Sequence, residues 1–230
     1  RLLPEPWLIK PLKVKSNFAK DQLTIPPNSD LIAIGDGWIS ELEKESLQPI
    51  SEERISTRFD YQTKEFLKGF GPELALRLFP IGVSPWVMLF RNGEPWASSA
   101  KEGWNVLLDP DLRGRVVLPS SPRFVMSIAN KIDEPDALRK LRIQALTFDD
   151  RNSLNWILSG KARVVILPLI RCFSSLIRDP RLSAVLPDQG APLNWTVLVR
   201  PKQTRQLFPI EWLETAWERP HIGRLISKAW

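Results

Sequence analysis

Prolines and glycines, 21 and 11 of the 230 residues, cut this chain into short units. Proline fixes its own backbone angle and lacks the amide hydrogen that a helix interior or a central strand uses, while glycine supplies turns that other residues resist. What lies between the breakers alternates brief apolar runs with short amphipathic stretches, and no segment is low in complexity or repeated at a solenoid period. Alternation of that kind predicts strands exchanging with helices, an α/β chain with parallel sheets covered by helices.

The first clear unit is Asp30 to Trp38, an apolar run closed by Gly35 and Gly37 that reads as a buried strand delivering a turn at its carboxyl end. Ile39 to Leu47 then carries a helical surface pattern. Tyr61 to Phe70 and Pro72 to Phe79 read as two short helices parted by Gly71, with Pro72 suited to a first turn. Ile81 to Phe90 is a long strand that ends at the Asn92-Gly93 turn. Ser98 to Leu108 reads as a helix stopped by Asp109-Pro110, and Gly114 to Leu118 as a second buried strand. Pro119-Ser120-Ser121-Pro122-Arg123 launches a helix, with serine as its N-cap. Thr147 and Asp150 have capping-box spacing for a helix through Leu158, stopped at Gly160. Val164 to Leu167, Leu182 to Leu186 and Asn194 to Arg200 return as strands, and helices over Ile210 to Trp217 and Pro220 to Ala229 close the chain.

Bulk properties narrow the function classes. Hydrophobic residues at 43% and charged residues at 25% are proportions of a folded globular chain, and 230 residues suit one large domain or two lobes. No apolar run approaches the ~18 residues of a membrane span. The opening Arg1-Leu2-Leu3-Pro4 has no apolar signal core, so a targeting segment has been removed or was never part of it. The single Cys172 precludes an internal disulfide and reads as a small helix residue. His221, the one histidine, has no neighbouring ligand for zinc. The formal charge is +6, but lysines and arginines are scattered and no base-stacking strip accompanies them, so no nucleic-acid partner is expected.

Three strings carry a resemblance by their order and spacing: Asp30 to Trp38, Trp104 to Pro110 running on through Gly114-Arg115-Val116, and Gly190 to Thr196. Together they resemble bacterial extracellular solute-binding proteins, the spermidine/putrescine-binding type in particular, as found in cyanobacteria. The resemblance implies a type II periplasmic-binding-protein fold: two α/β lobes, residues 1–85 plus 197–230 and residues 86–196, joined by two crossover hinge strands. Ile81 to Phe90 and Trp195 to Arg200 fit those crossovers. The strand and helix that usually open such proteins, ahead of the equivalent of Trp7 to Leu12, have no counterpart in this sequence. The implied role is a receptor of an ABC-type importer that captures a small polar solute between the lobes and delivers it to membrane subunits. Its place would be periplasmic or extracytoplasmic, or alternatively an organelle compartment of a photosynthetic cell.

Strand-terminal turns line the crevice in such a fold. The candidate ligand-binding residues are therefore Asp36, Gly37, Trp38, Ser84, Trp86, Ser120, Ser121, Arg123, Asn194 and Trp195. Polyamine binders hold each ammonium with carboxylates and aromatic faces. Here Ser120, Ser121 and Phe124 stand where acidic residues belong, Asn194 and Thr196 follow suit, and Asp36 is the one evident carboxylate. A helix opening on Ser120-Ser121-Pro122-Arg123 suits a carboxylate or oxyanion better. Capping accounts equally well for Ser121, and core packing for most of the ten tryptophans.

Catalysis has little to work with. Asp109 with Asp111, and Asp149 with Asp150, sit where capping explains them, and no nucleophile elbow, phosphate loop or dinucleotide fingerprint occurs. No enzyme and no cofactor is expected. The rival reading is a protein-interaction module that keeps the fold without its solute.

Overall fold

The computed structural model describes Leu8, Lys10 and residues 15–17, 20–22, 28–50, 57, 59–149 and 152–211. The chain divides into two compact units, with breaks between Val83 and Ser84 and between Asn194 and Trp195. In chain order the strands are β1 (Lys15–Asn17), β2 (Lys20–Gln22), β3 (Ile32–Gly35), β4 (Leu47–Gln48), β5 (Phe79–Arg91), β6 (Val116–Leu118), β7 (Ala145–Phe148), β8 (Val164–Pro168), β9 (Leu182–Val185) and β10 (Leu193–Pro201). The helices are α1 (Tyr61–Lys68), α2 (Pro72–Ala75), α3 (Trp96–Glu102), α4 (Pro122–Ala129), α5 (Ala137–Gln144), α6 (Ser153–Leu158) and α7 (Leu169–Arg178). These two breaks fall inside the two long strands β5 and β10, so these are the crossover strands.

The unit holding residues 84–194 is a three-layer sandwich whose layers follow from strand periodicity. Ser84 to Phe90 are buried without interruption, which requires cover on both faces. Trp86, Met88 and Phe90 of β5, Val116 and Leu118 of β6, and Val164 and Ile166 of β8 face one core, shared with Trp104, Phe124, Val125, Ile128 and Leu141. The alternate residues Val87, Leu89, Val117, Val165 and Leu167 face a second core, closed by Ile157 of α6 and Cys172 of α7. Each such side chain contributes roughly 1.5–3 kcal/mol on leaving water.

The sheet is mixed, not parallel as its alternation suggests. β6 pairs in parallel with β7 and β8, because helical crossovers return the chain to the same end. β5 runs antiparallel to both β8 and β9, since it enters this unit as a crossover strand. In the other unit β10 pairs antiparallel with β3 and β4. Ile32, Ile34, Val197 and Val199 pack there with Ile39, Leu47 and Leu78, and Leu198 meets Ile50, Phe59 and Phe79 on the opposite side. Asp60 caps α1 by accepting the Thr63 amide at 2.7 Å.

Four local expectations are corrected. Ile39 to Leu47 is not a helix: single 3-10 turns span Asp36–Glu41 and Lys44–Ser46, and the chain then extends so that Leu47 and Gln48 pair with β10. Pro72 begins a helix that stops at Ala75, because Phe79 is already committed to β5. Ser98 to Leu108 is broken at Gly103 into α3 and a 3-10 turn, Trp104–Leu108. Thr147 is no helix cap but a β7 residue paired with Val117; its capping partner Asp150 lies outside the described residues. So do Trp7, all but the first two residues of the helix expected over Ile210 to Trp217, and the helix expected over Pro220 to Ala229 with His221. The sequence shows no sign of α5 or β7, and of α7 it indicates only that Cys172 lies on a helix.

Candidate functional site

The predicted ligand residues divide between the two units. In the unit of residues 84–194, β5 supplies Ser84 and Trp86, the end of β6 supplies Ser120, Ser121 and Arg123, and Asn194 lies at the start of β10. The Trp86 amide donates to the Pro192 carbonyl at 2.9 Å, two residues before Asn194, which is half-buried.

Ser84 is buried, and its Oγ accepts the Ile170 amide at 2.9 Å. The reason lies in strand register. Antiparallel pairing sets Trp86 against Pro168, so Ser84 falls opposite the first turn of α7. Proline at that helix's N-cap has no side-chain oxygen to offer, and the neighbouring strand supplies one instead.

Trp86 is 3% exposed, and its Nε1 has no hydrogen-bond partner among the described residues. Its ring lies 4.3 Å, centroid to centroid, from that of Phe124 in the first turn of α4. The Arg123 guanidinium carbon lies 4.4 Å from the same Phe124 ring. Ser121 is the N-cap of α4 by backbone geometry, but its hydroxyl makes no capping bond. Pro122, at the first helical position, has no amide hydrogen. The amides of Phe124 and Val125 turn back to the Ser121 carbonyl at 3.2 and 3.3 Å. Ser120 and Arg123 are exposed. Phe124 is the residue that joins Trp86 to the α4 turn; its sequence signal is an aromatic placed directly after a basic residue at a helix start.

The acidic side chain that directly follows β7, Asp149, is engaged elsewhere. The Asp149 amide donates to Leu118 at the end of β6, but its carboxylate accepts from the Asn152 amide, Asn152 Nδ2 and Trp156 Nε1 at 2.9, 3.2 and 2.9 Å. A depression of about 440 Å³ elsewhere in this unit is lined by Asn105, Asp109, Glu134 and Lys140 among others. Its polar groups are also occupied: Lys140 pairs with Glu134 at 2.8 Å, Asn105 accepts the Asp133 amide and Asp109 the Asp111 amide. No sequence candidate lines it. Cys172 is buried, and burial pushes its thiol up to about 11, so it is no nucleophile.

In the other unit, β3 ends at Gly35 and Asp36 opens the 3-10 turn. Pairing of Thr196 with Gly35 brings Trp195 to the same strand end. Asp36 is 5% exposed, Gly37 is exposed, and Trp38 packs on the core of this unit. Trp195 is buried and stacks on Phe66 at 4.5 Å with rings 14° from parallel. Phe66 escaped the sequence reading, because nothing local ties α1 to β10.

Among the described residues, no three His, Cys, Asp or Glu side chains are grouped to hold a metal, and no helix is long and apolar enough to cross a membrane. No protein-family model and no curated protein matches the chain. Solved structures do. An ABC transporter protein from Clostridium perfringens is similar at a TM-score of 0.60 and 15% identity, over 85% of this chain and 66% of that one. A spermidine/putrescine ABC transporter substrate-binding protein from Streptococcus pneumoniae matches at 0.56 and 15%, over 84% and 64%. A Trichodesmium protein solved with iron and citrate matches at 0.59 and 16%, over 87% and 68%. This chain thus spans about two thirds of the length of the proteins it resembles. With two α/β units joined through paired crossover strands, it has the type II periplasmic-binding-protein fold found in the solute-binding proteins of ABC transporters.

Proposed function

We propose that the chain is a solute-binding receptor of an ABC-type importer, working outside the cytoplasm and presenting a small polar solute to membrane subunits. Residues 1–85 plus 197–230 would form one lobe and residues 86–196 the other, closing about β5 and β10. The observation that carries this reading is the gathering of candidate side chains at strand ends within each unit. Trp86 meets Phe124 in the turn that follows β6, and Asp36 and Trp195 lie where the paired strands β3 and β10 meet the 3-10 turn. Strand-terminal turns are where sheets of this type hold ligands. The named solutes of the similar proteins include both polyamines and iron, so kinship alone does not select one.

A ligand present at ~100 times its dissociation constant stabilises its protein by roughly 2.7 kcal/mol. A thermal-shift panel of polyamines, amino acids and oxyanions should therefore raise the melting temperature for one class, and small-angle scattering with that ligand should show a smaller radius of gyration. A flat response across the panel, with a protein partner copurifying from the native source, would exclude the receptor.

That outcome is the second reading, an interaction module, and one observation favours it. Ile170, Phe173 and Ile177 of α7 are 67%, 52% and 71% exposed at helical spacing, beside the inward stripe of buried Cys172 and half-buried Leu169 and Leu176. An importer's membrane subunits are also protein partners, so substitution of this stripe separates the two readings only together with the ligand panel.

A further inference from the structure

We propose that α7 is a membrane-contact helix, whose outward row of Ile170, Phe173 and Ile177 enters the headgroup layer of an anionic bilayer while Arg178 meets lipid phosphate. Such contact needs no solute, and so stands apart from both readings above.

A helix packed on a core by one face needs one apolar face, and α7 carries more than that. Leu169, Cys172 and Leu176 recur at helical spacing and pack into the core beneath. Ile170, Phe173 and Ile177 repeat that spacing one residue later and stand outside the core, at 67%, 52% and 71% exposure. Arg171, Ser174 and Arg178 repeat it once more, and all three are exposed. Each step of one residue turns the helix by about 100°. The apolar surface therefore runs from the core row across a second, solvent-facing row and stops at a basic and hydroxyl row. Core burial accounts for the first of these rows alone. Single exposed apolar side chains are ordinary, but three in line at the edge of a core form a patch that calls for a partner.

Charge selects the occupant. Residues Leu169 to Arg178 include two arginines and no acidic residue. The carboxylate that follows, Asp179, is held by Arg181 through bonds at 2.9 and 2.8 Å. Arg178 is thus the cation that borders the exposed row; Arg171 has an interaction within the protein, and the contact does not depend on it. A guanidinium matches the oxygens of a phosphate, and the formal charge of +6 draws the chain toward an anionic surface. Width selects as well. A stable protein interface covers about 800 Å² on each partner, roughly 20–30 residues, whereas the exposed row of α7 is one side chain wide. A headgroup layer asks for no matching shape: apolar side chains enter it, and an arginine at their edge keeps its charge at phosphate depth.

Sedimentation of the full chain with vesicles tests the assignment, with phosphatidylcholine alone set against phosphatidylcholine mixed with phosphatidylglycerol. The chain should sediment with the mixed vesicles, stay in solution with the neutral ones, and be released as salt rises. Phe173→Gln together with Ile177→Gln should weaken the partition by about tenfold or more. Arg178→Gln should weaken it about fivefold, the worth of one arginine near such a surface, and keeps the test valid if the apolar pair of substitutions disturbs folding. An unchanged urea midpoint shows that a variant is folded. Failure to sediment with either vesicle would overturn the proposal, as would equal binding to both or binding indifferent to both variants. A protein partner or a concentration-dependent dimer that the doubly substituted chain loses, with vesicles left unbound by the parent, would give the row to a protein surface and overturn the bilayer.

Discussion

Replacing Ser84 by alanine isolates one hydrogen bond that ties a crossover strand to a helix. The hydroxyl accepts the Ile170 amide at 2.9 Å, and the serine is 7% exposed. Alanine leaves the second amide of α7 without an acceptor, since the N-cap Pro168 cannot replace it. Loss of a side-chain cap costs about 0.5–2 kcal/mol, and a net hydrogen bond about 0.5–1.5 kcal/mol. Both ranges describe this one bond, and partial access of water to the helix start keeps its loss near their middle, about 1 kcal/mol. With a urea m-value of about 2 kcal/mol per molar, the unfolding midpoint should fall by about 0.5 M with m unchanged. Ser98→Ala is the control: that hydroxyl reaches the Pro95 carbonyl at 3.1 Å on an exposed surface, and its loss should cost under about 0.5 kcal/mol. Hydrogen exchange supplies the local readout, with faster exchange in Ser84→Ala at the start of α7 and not elsewhere. An unchanged midpoint together with unchanged exchange at Ile170 would refute the capping role.

Trp104→Phe should be among the most destabilising single changes, about 2–4 kcal/mol by urea unfolding. Trp104 is fully buried and its Nε1 donates to the buried Gly190 carbonyl at 3.0 Å, so the change opens a void and strands an acceptor. Gly103→Ala should cost about 1 kcal/mol through displacement, not backbone strain, because the new methyl would lie 2.6 Å from the Gln189 carboxamide that accepts the Trp104 amide. Adding Gln189→Ala to it should then cost little more, as a double-mutant cycle will show. The Cys172 thiol, raised by burial from 9.0 to about 11, contributes stability that is complete below about pH 9 and is lost as pH rises toward 11. Urea midpoints across that window should fall more steeply for the parent than for Cys172→Ala, and a thiol reagent at neutral pH should react only as fast as the protein opens.

The strands were legible in the sequence where burial is continuous. Ser84 to Phe90 and Val164 to Leu167 are uninterrupted runs because sheet residues covered on both faces must be apolar throughout, and this pattern survives any register. Errors fell where a local pattern competed with a distant partner. Thr147 with Asp150 satisfies a capping box on paper, yet pairing with Val117 of β6 draws Thr147 into a strand. Trp104 continues a helical stripe, yet its indole reaches Gly190, 86 residues away, and the extended Gly103 breaks the helix to permit it. Ile39 to Leu47 has too few apolar positions to anchor a helix against its own core, so pairing of β4 with β10 prevails.

At the site, the sequence could identify turns but not which polar groups those turns leave unused. Ser84 and Trp86 look equivalent on paper, two residues apart on one strand and both facing a proposed ligand. Register separates them. Ser84 falls opposite the start of α7 and spends its lone pair on a helix amide, whereas the indole of Trp86 turns into the core beside Phe124, where its nitrogen meets no acceptor among the described residues. A hydroxyl already bonded has a structural reason to exist, so its presence says little about a solute. The Trp86 ring has a structural reason of another kind, since it packs in the core of its unit with Phe124 beside it. Position on a strand near a turn thus marks both residues alike, and only the register and the packing of their own unit tell what each one does.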